Sequence, residues 1–397
     1  MRNKFKFIML VLSLVFLASC GNSKSNESVF SNTAESAACK SSAVSNRYIV
    51  QWENGAYTLE KTEPGTSDDD FRNSFVQKHL AFIKHVDRDH QIQLKQDDMK
   101  TSSVQSMDAT TTANLSWGPY KIQADSVWSQ GFKGQGVLVG VVDGMVDQTQ
   151  QQLANNIAWD KQFNSETNDP NTNQHGTHVA GIIAADPAYG PVTGVAPSAK
   201  IIAGQFIGNT GGGSLGDAIV AMNAVAAQGA KVINMSWGGA GCVDSLKSAV
   251  QSLSDQGIIV VTAAGNDGVN SDEQPDYPAA FGFANQINVA ATASSDQIIY
   301  FSNYGFNTVN LGAPGVGIYS TIPGNKVESM DGTSMAAPMV TGTIALLLSA
   351  FPSASSQQIK QAIYSSVDVY SDYQVSTRGR INVKKALDAL RSMLSSQ

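Results

Sequence analysis

Charge is scarce in this chain. Only 15% of its 397 residues are Asp, Glu, Lys or Arg, and the balance is acidic, with a formal charge of −7. No stripe of basic residues runs along any segment, which excludes binding to nucleic acid through its phosphates. Cysteine is scarcer still: Cys20, Cys39 and Cys242 are the whole supply. Beyond the first twenty residues no long apolar run stands out as a membrane span. Histidine numbers five, and no HExxH zinc signature occurs among them. Glycine, in contrast, is abundant at 35 residues, as expected of a chain with many tight turns. A 42% hydrophobic chain of this length can bury one large core and something smaller beside it.

The N-terminus opens with Arg2, Lys4 and Lys6, followed by the apolar stretch 7–18, which is short for a membrane span. It ends in LASC (17–20), which resembles the bacterial lipobox. That resemblance implies a lipoprotein signal peptide over 1–20, lipid on Cys20, and an exported protein tethered to a bacterial membrane. Cys39 and Cys242 would then be left to pair, or to remain two thiols. Residues 21–46, rich in Ser, Asn and Ala, read as a flexible tether.

RYIVQW (47–52) reads as a strand, 71–86 as a helix with Phe71, Phe75, Leu80 and Ile83 near one face, and HQIQLKQ (90–96) as a strand. Residues 47–100 are therefore expected to form a small α+β unit, and 101–116 a linker. From 117 to 397 the pattern changes. VLVGVV (137–142), AKIIAGQFI (199–207), KVINMS (231–236), GIIVVTAA (257–264) and QINVAA (286–291) are continuous apolar runs. Such runs suit strands buried on both faces. Helical stretches at 175–185, 214–228, 243–255 and 335–350 separate them, with a further helix at 355–366. The expected fold class is α/β: a mostly parallel, doubly wound sheet flanked by helices, with its site at the carboxyl ends of the strands.

Four stretches carry candidate chemistry. Asp143 ends the run VLVGVV. HGTHVAG (175–181) opens a helix with two histidines. AAGND (263–267) puts Asn266 on a glycine-bearing turn at another strand end. GTSMAAPMVTG (332–342) places Ser334 at the head of an apolar helix, with Thr333 beside it to serve as the cap. Singly, each residue fits a cap or a turn. Together they meet the needs of acyl transfer: a hydroxyl, a neutral imidazole to take its proton, a carboxylate to orient the ring, and donors for an oxyanion.

These four blocks resemble the signature blocks of the subtilisin family of serine proteases, in the order Asp, His, Ser. The resemblance implies that Asp143 orients, His175 is the base, Ser334 attacks and Asn266 stabilises the oxyanion, with His178 structural. It implies an Asp-His-Ser serine endopeptidase whose catalytic domain is 117–397 and whose inhibitory prodomain is 47–100. Gly211, Gly212 and Gly213 resemble one edge segment of the substrate cleft, and Ser236, Trp237 and Gly238 the opposite one. By the same resemblance Ala263, Ala264 and Gly265, beside Asn266, are further candidates for substrate binding. A peptide held between two such edges is read by strand addition. PDYPAAF (275–281) resembles the floor of the pocket before the cut bond, so Asp276 is a candidate reader of Lys or Arg, or else a solvated loop acid beside Asp272 and Glu273. Lys100–Thr101 is a candidate processing site.

The chain also departs from the family. Gly144 and Met145 follow Asp143 where Ser or Thr and then Gly are usual. That keeps open an inactive binding or scaffold lipoprotein on the same fold. QTQQQL (148–153) and DPAYGPVT (186–193) lack the ligands of the common calcium site, so no cofactor is expected there, though calcium elsewhere stays open. The expected partners are protein or peptide substrates, the chain's own prodomain and, through Cys20, a membrane. A monomer is expected, and no nucleic acid. Histidine as a residue type titrates near ~6.5, so hydrolysis is expected to rise from about pH 6 and flatten at alkaline pH. A rate profile flat from pH 4 upward would count against a histidine base.

Overall fold

The computed structural model describes Ser25 and residues 27–30, 41–94, 101–102, 115–239 and 244–396. The expected signal segment with Cys20, together with Cys39, Lys100 and Cys242, lies outside the described residues.

The N-terminal unit is built on strands β1 (Ala43–Trp52), β2 (Tyr57–Lys61) and β3 (Ile83–Gln93), paired antiparallel with β1 between the other two; a short β4 (Thr101–Ser102) follows. A helical stretch, Asp68–His79, lies on one face, opened by a capping box between Ser67 and Asp70. Phe71 stacks on Tyr48 with ring centroids 4.0 Å apart, over a small core of Val50, Val76, Ile83 and Val86.

Two expectations change here. The helix expected over 71–86 ends at His79, and Ile83 already belongs to a strand that runs to Gln93 rather than starting at 90. Leu80 and Ile83 have helical spacing, but pairing with β1, Val86 opposite Val50, overrides that local signal. The tether expected over 21–46 is also docked in its middle. Val29 is buried, and Phe30 bridges to Val86 and sets its ring edge-on to Tyr48 and Phe71. One aromatic side chain finds a ready-made apolar seat, which the polar composition around it concealed.

The larger domain contains strands β5 (Leu138–Asp143), β6 (Ile157–Gln162), β7 (Lys200–Gln205), β8 (Gly212–Ser214), β9 (Val232–Met235) and β10 (Ile259–Ala263). It continues with β11 (Gln286–Thr292), β12 (Leu311–Pro314), β13 (Ile318–Ile322), β14 (Lys326–Met330), β15 (Asp368–Val369) and β16 (Gly379–Arg380). Its longer helices are α1 (His175–Ala184), α2 (Leu215–Ala227), α3 (Asp244–Asp255), α4 (Thr333–Ala350), α5 (Ser356–Tyr364) and α6 (Val383–Ser395).

Nine strands form one sheet in the order β15-β16-β12-β11-β10-β9-β5-β7-β6, parallel throughout except for β15 against β16. Both faces are buried. Val139, Val141, Ile201 and Val261 point into one core, and Val142, Ile202, Ile233 and Val260 into the other. The sheet is the expected α/β, doubly wound one. The chain lays down β5 first, builds β6 and β7 on one side, then returns to build β9 to β12 on the other. That reversal opens a crevice at the carboxyl end of β5.

Helix α4 runs through the first core, buried from Thr333 to Leu347. By length and composition it could cross a bilayer, contrary to the reading that no later segment could, but 89% of it is buried inside the domain. A helix apolar all round belongs in a core.

The two units are joined by strand and by charge. β3 pairs antiparallel with β8, extending the small sheet across the boundary. Two buried carboxylates on β3 receive helix N-termini. Asp87 accepts from the Ser245 N–H at the start of α3 (2.7 Å), and Asp89 from the Gly216 N–H at the start of α2 (2.8 Å). Each satisfies an otherwise orphaned amide at the positive end of a helix. Arg47 bridges Asp89 and Asp217. Breaking such a buried set leaves a charge uncompensated, at a cost of about 3 kcal/mol. Asp89→Ala is therefore expected to lower the urea stability of the docked N-terminal unit by about that much. A change under about 0.5 kcal/mol would remove Asp89 from the interface energetics.

Candidate active site

Asp143 is the last residue of β5 and fully buried; His175 is the first residue of α1. His175 Nδ1 donates to Asp143 Oδ1 at 2.7 Å, and the Gly144 N–H donates to the same oxygen at 2.6 Å. A ring that donates through Nδ1 carries its basic lone pair on Nε2. The bond forms because α1 comes down unusually close to the turn after β5. A Cβ on Gly176 would lie 2.4 Å from the Gly144 carbonyl oxygen. Thr177 fastens the approach: its hydroxyl donates to the Met145 carbonyl and accepts from the Asp147 N–H, both at 3.0 Å.

The departure at Gly144 and Met145 has a local counterpart that the sequence reading did not single out. A Cβ on Gly144 would meet Asn173 Oδ1 at 2.4 Å. Asn173 thus fills the place of a side chain there. It accepts from the Met145 N–H at 3.1 Å and donates to the Ile207 carbonyl at 3.0 Å. The turn that presents Asp143 is held from across the crevice. The signal was available as an amide two residues before His175. His178 behaves differently from His175. Its Nε2 donates to the Glu328 carbonyl at 3.0 Å, and burial pushes its pKa down to about 3, so it stays neutral. Among the described residues, no group of three or more His, Cys, Asp or Glu is placed to hold a metal.

Ser334 is the second residue of α4. Its hydroxyl donates to the Ser236 carbonyl at 3.0 Å, and the Ser236 hydroxyl donates to the Ser334 carbonyl at 2.7 Å. The second bond has a cause in the sequence. Pro338 has no N–H, so the carbonyl four residues before it, that of Ser334, receives nothing from the helix. Ser236 fills the gap and is itself held by Asn234, whose amide also accepts from Thr341 of α4. Ser236, expected to contact substrate, thus turns its side chain to α4 and is buried.

Thr333 differs from expectation too. The cap position of α4 is Gly332, and no side chain caps it. Thr333 instead accepts from the Gly265 N–H at 3.1 Å and donates to Asn266 Oδ1 at 2.9 Å, where its own N–H also donates. With its oxygen pinned by Thr333, the Asn266 amide has its orientation fixed.

Two adjoining cavities share Leu94. One is lined by His175, Asn173, Ile207 and Gly211; the other by Ser334, Asn266, Gly238, Ala263, Gly265 and Asp276. The edge at Gly211, Gly212 and Gly213 holds the chain's own strand. Gln91, Ile92 and Gln93 face Ser214, Gly213 and Gly212, and the Leu94 N–H donates to the Gly211 carbonyl at 2.8 Å. Of two other candidates, Trp237 lines the same cavity as Ser334 and Ala264 does not. The Trp237 indole is buried, donating to the Val142 carbonyl and packing edge-on against Phe206, so it supports the cleft wall from behind. Ala264 sits in a separate core with Val309, Tyr373 and Val375. Both are apolar residues flanked by glycine, and local sequence does not say which way such a residue faces.

Residues 134–386 match the family model described as the Subtilase family. Thermitase of Thermoactinomyces vulgaris is 39% identical over 276 residues, 68% of this chain and 95% of that protein. Subtilisin DY of Bacillus licheniformis is 36% identical over 267 residues, 67% and 96% respectively. Subtilisin E of Bacillus subtilis (strain 168) is 32% identical over 396 residues, 97% of this chain and the full length of that protein, so the similarity reaches through the N-terminal unit as well. With this architecture and these matches, the chain belongs to the subtilase family and is a subtilisin-like serine endopeptidase.

Proposed function

We propose that this endopeptidase cuts peptide bonds through an acyl-enzyme on Ser334, with His175 as base, Asp143 as its orienting carboxylate and Asn266 as an oxyanion donor. The observation that carries the reading is the buried His175–Asp143 hydrogen bond of 2.7 Å at the carboxyl end of β5. The Ser334 proton leaves the Ser236 carbonyl for His175 Nε2 as the oxygen attacks the substrate carbonyl. Asp143 stabilises the imidazolium that results. Asn266 Nδ2 and the Ser334 N–H at the positive end of α4 receive the oxyanion. The imidazolium then protonates the departing amine, and water releases the acyl group by the reverse steps. The Asn173 amide packed on Gly144 supports an intact turn at Asp143, which favours an active enzyme over an inactive scaffold.

The N-terminal unit acts as a prodomain that inhibits by lying in the cleft edge as a substrate would, a reading supported by the β3–β8 pairing. The LASC segment supports export and lipidation at Cys20; loss of incorporated palmitate in Cys20→Ser would test it.

Fluorophosphonate labelling of the processed enzyme should be lost in Ser334→Ala together with hydrolysis of a casein substrate. Full hydrolysis by that variant would end the proposal. Asn266→Ala should lower kcat by about 10² to 10³. Thr333→Val, which keeps the shape and removes the hydroxyl, should lower kcat about tenfold with little change in KM, as for one lost orienting hydrogen bond.

Prodomain release should depend on pH through His85. Burial pulls its pKa down, but the hydrogen bond and charge of Asp87, with Asp244 of α3 facing it, hold it above the ordinary value against Lys84. A raised pKa in the docked state means the contribution is complete in mild acid and lost as pH rises through the raised value. After processing, activity should therefore appear faster as pH is raised from about 6 to 9, and His85→Gln should flatten that dependence. An unchanged slope in His85→Gln would remove the histidine from release.

A further inference from the structure

We propose that Glu328 reads the residue on the leaving side of the cut bond, selecting lysine or arginine there with its carboxylate as counter-ion. The proposal deepens the acyl-transfer reading and rests on Ser334 as nucleophile and His175 as base.

The cavity beside His175 carries the first step. It measures about 300 Å³, and its wall includes Gln174, His175, Ile207, Glu328 and Met330 but not Ser334. Glu328 is the one acid among the described residues lining it. The residue is half-buried, and among the described residues its carboxylate makes no hydrogen bond or ion pair. A second acid, Glu166, lies behind Gly208 and is committed to the Asn209 N–H at 2.9 Å. Glu328 therefore sets the charge of this space. Glu328 and Met330 are two residues apart on β14 and face the same way. Met330 and Ile207 supply an apolar wall for the stem of a lysine or arginine whose charge ends at the carboxylate.

The carboxylate is also held in a fixed relation to the base, because the β13–β14 hairpin is fastened to α1. The Glu328 carbonyl accepts from His178 Nε2 at 3.0 Å. Ser320, opposite Glu328 in the hairpin, donates its hydroxyl to the His178 carbonyl at 2.7 Å, and the Thr321 hydroxyl donates to the Thr177 carbonyl at 3.0 Å. His178 stays neutral under its burial, so it brings no counter-charge of its own. The hairpin that carries the acid and the helix that carries His175 are one rigid piece.

The direction of a bound chain carries the second step. His175 gives its proton to the departing amine, so the residue after the cut lies on the His175 side of Ser334. The chain's own strand runs the same way. Gln91–Gln93 lie along the Gly212–Ser214 edge, the Leu94 N–H donates to the Gly211 carbonyl at 2.8 Å, and Leu94 borders both cavities. Farther on, the backbone of Thr101 and Ser102 pairs with Met330 and Ser329 of β14. A polypeptide that crosses the nucleophile thus passes from the glycine edge to the strand that bears Glu328.

Acyl transfer to added amines tests the leaving side apart from the rest of the cleft. Processed enzyme, counted by fluorophosphonate titration, is acylated with a blocked peptide methyl ester. It is then offered arginine amide, leucine amide or glutamic acid α-amide at equal concentrations of free amine. The amine nitrogen bonds to the acyl carbon, the bond to Ser334 Oγ breaks, and His175 passes the amine's proton to that oxygen. The ratio of peptide amide to hydrolysed acid reads binding on the leaving side. Arginine amide should exceed leucine amide in this ratio by about fivefold, and added salt should shrink the difference. Glu328→Gln should bring the two amides level, and Glu328→Lys should favour the glutamic acid amide. Equal partition of arginine and leucine amides on wild type, which needs no variant to fold, would overturn the selection. A preference for arginine that survives both substitutions would overturn Glu328 as its source. The label is a separate readout: enzyme that takes no fluorophosphonate on Ser334 yet still turns over the ester would strike the nucleophile assignment, and this proposal with it.

Discussion

The approach of α1 to the turn after β5 is the contact on which the site depends. Gly176 lies against the Gly144 carbonyl so closely that a single added carbon would sit 2.4 Å from the oxygen. No other residue permits that spacing, and the His175–Asp143 bond exists only at that spacing. The parallel sheet makes the contact possible. β5 is the strand at which the chain reverses its direction of building, so its carboxyl end opens on a crevice rather than on a neighbouring crossover. α1 enters that crevice end-on, with its histidine foremost. Thr177 and Asn173 then fix the approach with hydrogen bonds to the same turn. The carboxylate is buried without being stranded because it receives a ring N–H and a backbone N–H on one oxygen.

A second device delivers the serine. Helix α4 is apolar enough to be drawn wholly into the core, and burial would normally hide a residue in its first turn. Pro338 works against this. By withholding one N–H it leaves the Ser334 carbonyl open to Ser236, which pins the helix start to the end of β9. Thr333, one residue earlier, ties the same turn to Gly265 and Asn266 beyond β10. The serine is therefore set between two strand ends by its neighbours, and its own hydroxyl is spared any capping duty. This is preorganisation in a literal sense: the groups that must meet the developing charge are fixed by bonds that do not take part in the reaction.

Much of this could be read in the sequence, for a physical reason. Strands buried on both faces must be continuously apolar, so β5, β7, β9, β10 and β11 stood out. Residues that need a particular chemistry at a strand end, Asp143 and Asn266, follow such runs directly. What stayed hidden was direction and partnership. Ala264 lies in a block that borders the cleft yet packs into a separate core, and nothing local to a glycine-bearing segment fixes its facing. Asp87 and Asp89 are ordinary strand acids until α2 and α3, more than a hundred residues later, present their N-termini. β3 itself begins where the sequence still reads as a helix, because Leu80 and Ile83 have helical spacing, and only its pairing with β1 decides. Strands such as β6 and β14 are partly exposed and lack a clean apolar run, so they carried little signal.

The same long-range partnership explains why the N-terminal unit belongs to the fold and not merely to the chain. Its sheet is completed by β8, its two buried acids are completed by helices of the other domain, and Arg47 is completed by Asp217. Within the unit Arg47 pairs with Asp89 and His85 with Asp87, but the helix N–H groups and Asp217 come only from the other domain. A unit that small buries little apolar surface of its own, and its interface is rich in buried charge whose pairing is completed only while docked. A cut anywhere beyond β3 would leave every one of these contacts in place, so a cut by itself would not free the unit; that would take weakening of the paired charges or loss of part of the unit. The reason is the location of the buried carboxylates on the strand that enters the cleft.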